Sequence, residues 1–387
     1  MPRNAILHDD SQLKLALFGA NCSSGRTYSS APERWDARWE NNVRLAQIAD
    51  DAGIEAMIPI ARWKGYGGET NPNGMSWESI TWAAGLLAAT KRINVFATVH
   101  VPLNHPVVAA KQMATTDHIG GGRFGVNVVC GWNDDEFQMF GVTKQEHEAR
   151  YEQGTEWWSI VRRIWAGDEP FDFEGKHYSM DKVEGAPRPV DGEAPIMMNA
   201  GISASGRDFA LRYSNMHFDA VRLPEDSSSR IAETRRMAGE IGRTLQVWTP
   251  VGIVCRPTQQ EAVDYTHHII EHADTAAVGN LTELYRRDRG DQHDRDDAFT
   301  YMGEGPVERR VLARGNFCAI GDADHVARQI ARLRNVGFDG LALNFVNYLD
   351  EFPYFAQEVL PRLESLALRG PSNSSPVGTE HQGGRSA

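Results

Sequence analysis

The chain of 387 residues can bury a large core, and a formal charge of −12 without any basic run argues against nucleic acid and anionic membranes as partners. No apolar run approaches the ~20 residues of a membrane span. Met1-Pro2-Arg3-Asn4 opens no apolar leader, and Cys22, Cys130, Cys255 and Cys318 form no CxxC pair, so a cytoplasmic protein with reduced thiols is expected.

Taken in chain order, residues 1–12 read as an arm and 15–19 as a first strand. An amphipathic helix over 41–52 ends at Gly53, a C-cap, and 56–60 is a second strand. The spacing predicts a helix over 77–89 with Ser76 as its N-cap, then a strand rich in β-branched residues over 93–99. Pro106 starts a helix over 107–119, and 124–129 is the fourth strand. A strong helix follows over 150–165, then a hairpin over 171–178 around Glu174-Gly175. Further strands are expected over 196–199, 217–221, 247–255 and 340–344, and helices over 203–213, 227–241, 259–272 and 324–335. About eight βα units close a (β/α)8 TIM barrel, with a doubly wound open sheet as the alternative. A single domain over 13–369 carries insertions at about 133–149, 166–195 and 273–315. These are expected in loops at the carboxyl ends of the strands, where lids and pocket walls form. The Ser/Gly/Pro-rich tail 370–387 is expected to be disordered.

The phrase Gly120-Gly121-Gly122-Arg123-Phe124-Gly125-Val126-Asn127 is a glycine turn that launches a buried strand. That strand delivers Asn127, Cys130, Gly131 and Trp132 to its carboxyl end, the ligand-bearing end of parallel α/β folds. Asn199-Ala200-Gly201-Ile202-Ser203 joins a strand to a helix start, where backbone amides and the Ser203 and Ser205 hydroxyls suit a phosphate. The loop Ala61-Arg62-Trp63-Lys64-Gly65-Tyr66 combines cations, aromatics and glycine, as expected of a segment closing over an anionic, planar ligand. Arg150-Tyr151 opens the long helix with a phosphate-pairing cation and a hydroxyl donor. The glycines of 120–125 precede a strand, so no dinucleotide fingerprint exists, and neither a P-loop nor a nucleophile elbow is present. His268-Ile269-Ile270-Glu271-His272 matches a zinc-protease pattern, but it lies on an outer-ring helix without a third ligand and reads as surface histidines; no metal is expected. His100 and His105 are candidate proton donors or substrate ligands.

Over about 13–368 these segments resemble the bacterial luciferase-like flavin monooxygenases. The phrase 114–127 running into Gly131-Trp132 and Glu136, Arg62 with Gly65-Tyr66-Gly67, and Ala200-Gly201 with Ser203 resemble the subgroup of pyrimidine and dimethylsulfone monooxygenases. The segments Ile320-Gly321-Asp322 and Val336-Gly337-Phe338-Asp339-Gly340 support it. The resemblance implies a barrel that takes reduced FMN from a separate NAD(P)H:flavin reductase and reacts it with O2 to oxygenate and cleave a small heterocycle, amide, sulfone or halogenated aromatic. By position it implies flavin contacts at Ala61, Arg62, Asn127, Glu136, Arg150, Tyr151 and Ser203, and an oxygen pocket at Thr98 and Asn127. His100 is added as a candidate catalytic group, and a homodimer or homotetramer is expected. Val99-His100-Val101-Pro102 departs from the pyrimidine enzymes, as do 20–35 and 273–315, which makes uracil a doubtful substrate. The rival readings are a deazaflavin-dependent oxidoreductase and a non-catalytic flavin-binding barrel.

Overall fold

Strands buried on both faces read as near-continuous apolar runs, and eight such runs here close on themselves. They are β1 Lys14–Phe18, β2 Ala56–Ile58, β3 Asn94–His100, β4 Phe124–Val129, β5 Ile196–Asn199, β6 Met216–Phe218, β7 Gln246–Cys255 and β8 Gly340–Asn344. All neighbours are parallel, and β8 pairs with both β7 and β1, so the sheet is a closed eight-stranded (β/α)8 barrel. The computed structural model describes residues 5–7, 12–167, 169–289 and 306–370.

Strand parity divides the core. Leu15, Leu17, Val95, Ala97, Val126 and Val128 face outward into the helix layer, whereas Ala16, Phe96, Met198, Phe218 and Trp248 fill the lumen. Thr98 and His100 share the parity of Phe96, and Asn127 that of Gly125, so all three reach the inner face at the carboxyl end. Gly125 is required by packing, since a Cβ there would lie 2.5 Å from the Phe96 ring. The amino end of the lumen is plugged by the short turn Ala5–Leu7: Ile6 joins the inner cluster, and its carbonyl accepts from Gln246 Nε2 at 3.1 Å.

Several local details differ from expectation. The helix expected from residue 77 runs Ser79–Ala89, capped by Glu78, whose carboxylate accepts from the amides of Ile80 and Thr81. Ser76 instead pairs with Cys22 in an isolated bridge. A ninth strand, Cys318–Gly321, pairs with the second half of the ten-residue β7. Only four residues long, ending at Gly321 and preceded by Asn316-Phe317, it carries too little pattern to stand out. The insertion 273–315 is not a plain charged loop: it holds helices Thr275–Arg289 and Val307–Ala313, with 290–305 outside the described residues. Insertion 166–195 carries an antiparallel hairpin whose second strand runs Ser179–Val183, beyond the expected end at 178. The tail from 371 onward also lies outside the described residues. Among the described residues, no helix is long and apolar enough to cross a membrane.

Candidate functional site

At the mouth of the barrel, Thr98 and Asn127 are register partners on β3 and β4. Thr98 Oγ1 donates to the Pro59 carbonyl at 2.9 Å and accepts from Asn127 Nδ2 at 3.3 Å. The Thr98 hydroxyl proton is therefore committed to backbone, and the hydroxyl orients Asn127. Asn127 Oδ1 is buried and accepts nothing within the protein. A buried amide oxygen without a donor is costly, so it marks a place for a ligand N–H or O–H.

Beside it lies a buried ion pair. The chain leaves β2 through Ala61, and the Arg62 guanidinium meets Glu136 Oε1 at 3.0 Å, with both side chains almost fully buried. Glu136 sits on a short helix, Asp134–Met139, and the same oxygen accepts from the Trp63 amide at 2.8 Å. Its other oxygen lies 3.8 Å from His100 Nδ1. Burial, which outweighs the nearby carboxylate, pushes the His100 imidazole down to about 4. At neutral pH His100 is thus uncharged and supplies an N–H rather than an acidic proton. Arg62 is sandwiched between the Tyr66 ring at 5.2 Å and the Trp132 ring at 5.1 Å. A small cleft brings Ala61, Arg62, Thr98 and His100 to one surface.

The second half of the site gathers a helix N-terminus, hydroxyls and a cation. Ser203 caps helix Ala204–Tyr213, accepting from the Gly206 amide at 3.1 Å. Tyr151 reaches the same helix end through a space that glycine keeps open: a Cβ on Gly201 or Gly206 would fall 2.8 or 2.6 Å from its hydroxyl. His147 Nδ1 lies 3.1 Å from Arg150 Nη2 and its Nε2 lies 2.7 Å from Ser203 Oγ. Arg150 can only donate, so Nδ1 accepts and Nε2–H donates to the serine. Burial and the Arg150 charge hold His147 below its ordinary range, in keeping with that neutral tautomer. Arg150 also donates to the Gly131 carbonyl, while its buried Nε has no partner. Lys144 and Arg150 converge on Asp288 of the inserted helix, at 2.7 and 3.3 Å. Tyr285 of that helix stacks on Trp132 at 4.7 Å.

The structure thus gathers Ala61, Arg62, Thr98, His100, Asn127 and Glu136 at the mouth, and Arg150, Tyr151 and Ser203 at its flank. Trp63 turns away to the rim, 43% exposed against Phe140. His105 is exposed at the start of helix Pro106–Ile119, its ring facing Tyr178. His268 pairs with Glu33 at 2.8 Å on the outer ring. Sequence reasoning missed Lys144, His147, Tyr285 and Asp288, whose polar surroundings along the chain look like any solvated surface. It also missed Arg26, Tyr28 and Arg314, which only the closure of the barrel brings together.

A sequence profile described as luciferase-like monooxygenase matches residues 14–340. The chain is 31% identical to the FMNH2-dependent dimethylsulfone monooxygenase of Pseudomonas fluorescens over 93% of this chain and 97% of that one. It is 28% identical to the pyrimidine monooxygenase RutA of Escherichia coli over 93% and 94%. The structure of DmoA from Hyphomicrobium sulfonivorans superposes with a TM-score of 0.82 at 16% identity, covering 93% of this chain and 90% of that one, a likeness of fold. The fold, the site at the carboxyl ends of β2–β5 and the match over most of the chain agree: this protein belongs to the luciferase-like monooxygenase family.

Proposed function

We propose that the protein is a flavin-dependent monooxygenase, using reduced FMN and O2 to oxygenate and cleave a small organic substrate. The observation that carries this reading is a pair of unmet demands: Asn127 Oδ1 buried without a donor at the mouth, and Arg150 Nε buried without an acceptor at its flank. A planar ring with N–H groups and a single terminal phosphate answers both. The residues present fit FMN: Ser203, Tyr151, His147 and Arg150 would hold the phosphate, while Ala61, Arg62, Asn127 and Glu136 would line the ring. FMN, when bound, supplies the redox chemistry with oxygen, and the protein supplies position and electrostatics.

The chain's own groups have separable tasks. Thr98 fixes the amide plane of Asn127, leaving Oδ1 to accept and the second Nδ2 hydrogen to donate where charge develops. The Arg62–Glu136 pair holds the β2 loop closed and keeps Arg62 between two aromatic faces. Neutral His100 can donate an N–H without carrying charge into the lumen. The inserted helix Thr275–Arg289 roofs the mouth and excludes water, which strengthens each of these interactions. A separate NAD(P)H:flavin reductase supplies the reduced flavin in this reading, and the protein works in the cytoplasm as a homodimer or homotetramer. The exposed Trp63, Met139 and Phe140 offer an apolar rim for such assembly.

The test is anaerobic titration with reduced FMN, oxidised FMN, FAD and deazaflavin, followed by oxygen and mass spectrometry of a substrate panel. Reduced FMN should bind best and an oxygenated product should form. Preference for deazaflavin, or flavin binding with no product across the panel, would overturn the reading. Asn127→Leu should keep the fold and lower product formation by about two orders of magnitude, the cost of losing one preorganised donor.

A further inference from the structure

Beyond Arg62 the mouth holds a second cationic group that the flavin reading leaves unused. Arg26 comes from the loop after β1, Tyr66 from the loop after β2, and Arg314 from the segment before strand Cys318–Gly321. The Arg314 guanidinium lies 5.3 Å from the Tyr28 ring and 5.1 Å from the Tyr66 ring, and those rings are 5.8 Å apart. Arg26 lies over Phe18 at 4.7 Å and donates to the Ala313 carbonyl at 3.2 Å. Trp132 and Arg62 separate this group from Arg150 and Ser203. All four side chains are more than nine-tenths buried: Arg26 at 6% exposure, Tyr28 at 1%, Tyr66 at 4% and Arg314 at 4%.

The hydrogen-bond and charge balance of this group is incomplete. Arg26 Nε, Arg314 Nε and the hydroxyls of Tyr28 and Tyr66 are buried without any partner. The Glu136 carboxylate is taken by Arg62 and by the Trp63 amide. Among the described residues no carboxylate pairs with Arg26 or Arg314; their acceptors are carbonyls and the Asn73 amide oxygen. Burial, and next the like charge of Arg314, pull the Arg26 guanidinium down to about 10, whereas the phenols around Arg314 hold its guanidinium above the ordinary value despite burial. Two buried, mutually repelling cations without a counter-charge are destabilising unless an anion joins them. Left-handed backbone flanks both cations. Ser24 and Gly25 both adopt left-handed conformations just before Arg26, at φ 62° and 52°. Arg314 is itself left-handed at φ 53°, where glycine or asparagine is the easy choice. At Arg314 that conformation is the left-handed C-cap of helix Val307–Ala313.

We propose that Arg26, Arg314, Tyr28 and Tyr66 form the substrate subsite of this enzyme and that they bind the oxyanion, a carboxylate or sulfonate, of a flat organic acid. Guanidinium forks match a planar carboxylate in bidentate fashion, and the two phenols add neutral donors. This assignment rests on the monooxygenase reading and narrows it: the molecule to be oxygenated is an anion.

The experiment titrates the full-length protein, held anaerobically with reduced FMN, against benzoate, benzenesulfonate, benzamide and inorganic sulfate by calorimetry. Benzoate or benzenesulfonate should bind at least about tenfold tighter than benzamide, the step that charge-assisted hydrogen bonds give over neutral ones. Whichever of the two binds tighter identifies the oxyanion. Arg314→Met should erase the preference while leaving the affinity for reduced FMN within about twofold, and Arg314→Lys should restore part of it. Should Arg314→Met fail to fold, Tyr28→Phe keeps the ring, removes one donor and should weaken benzoate several-fold but not benzamide. Equal binding, or equal failure to bind, of benzoate, benzenesulfonate and benzamide would overturn the assignment, as would sulfate binding alone. Loss of reduced-FMN binding with the benzoate preference intact would instead sink the monooxygenase reading and leave the anion subsite standing.

Discussion

Glu136 accepts from Arg62 and from a backbone amide inside the barrel mouth, so its removal leaves a buried guanidinium uncompensated. Glu136→Ala should cost about 3–5 kcal/mol in urea unfolding, the usual penalty for breaking a buried pair from one side. Glu136→Gln should cost less, because its amide oxygen still accepts from Trp63. The neighbouring His100 makes stability depend on pH. Its folded value is about 4, below the ordinary value of about 6.5, so the unfolded chain binds the extra proton between those limits. The stabilisation is complete above about pH 6.5 and is lost as pH falls towards 4; by pH 5 the loss is about 2 kcal/mol. His100→Gln should flatten that part of the profile in thermal melts between pH 7 and 5. An unchanged slope would mean that other groups set the acid limb.

Helix Thr275–Arg289 is the element that most shapes access to the site. Its Tyr285 ring lies flat on Trp132, and its Asp288 carboxylate contacts both Lys144 and Arg150. An aromatic ring and an anion thus occupy the neighbourhood where the flavin ring and phosphate are expected. In the proposed reading the FMN phosphate meets Arg150, so Asp288 must release that cation and two anions compete for it. Asp288→Ala should therefore tighten reduced-FMN binding by about 1–2 kcal/mol, on the scale of one charge-assisted hydrogen bond. Fluorescence titration measures this, and weaker binding in the variant would make Asp288 a part of the flavin site rather than its competitor. The short helix Asp134–Met139 acts in the other direction, carrying Glu136 back to clamp the β2 loop.

At the scale of the whole molecule, the barrel is sealed differently at its two ends. The amino end is closed by an apolar plug, Ile6 clustered with Trp248 and Met198, and the carboxyl end by charged and aromatic side chains from the loops after β1, β2 and β4 and from the insertion 273–315. The plug fills the amino end of the lumen with apolar side chains. Ile6→Ala should destabilise the fold by about 2–4 kcal/mol, as for a buried aliphatic side chain with a residual cavity. It should leave flavin affinity unaltered, since the lesion lies at the opposite end of the lumen. Chemical denaturation with a parallel flavin titration checks both halves of that expectation.

Local pattern was enough for the eight strands and their order, because a strand buried on both faces writes its apolar run directly into the sequence, and short glycine and proline signals bound it. It also put Ser203 at a helix start and Asn127 near the carboxyl end of a strand, where a glycine-rich phrase next to a strand leaves few options for the backbone. Thr98, Glu136, Ala61 and Tyr151 entered through family likeness, since a threonine in a strand or a glutamate in a polar helix has no local mark of function. The first turn of helix Ser79–Ala89 was misjudged because serine and glutamate both cap, and only the tertiary structure, where Ser76 is drawn into a bridge with Cys22, leaves the cap to Glu78. The strand Cys318–Gly321 and the helical nature of the insertion depended on partners far away in the chain. So did the Arg26–Arg314 group, whose members are nearly three hundred residues apart and meet only when β1 and β8 pair to close the barrel. Periodicity is a property of neighbours along the chain, and a binding site is a property of neighbours in space; the barrel's closure is the step that converts one into the other.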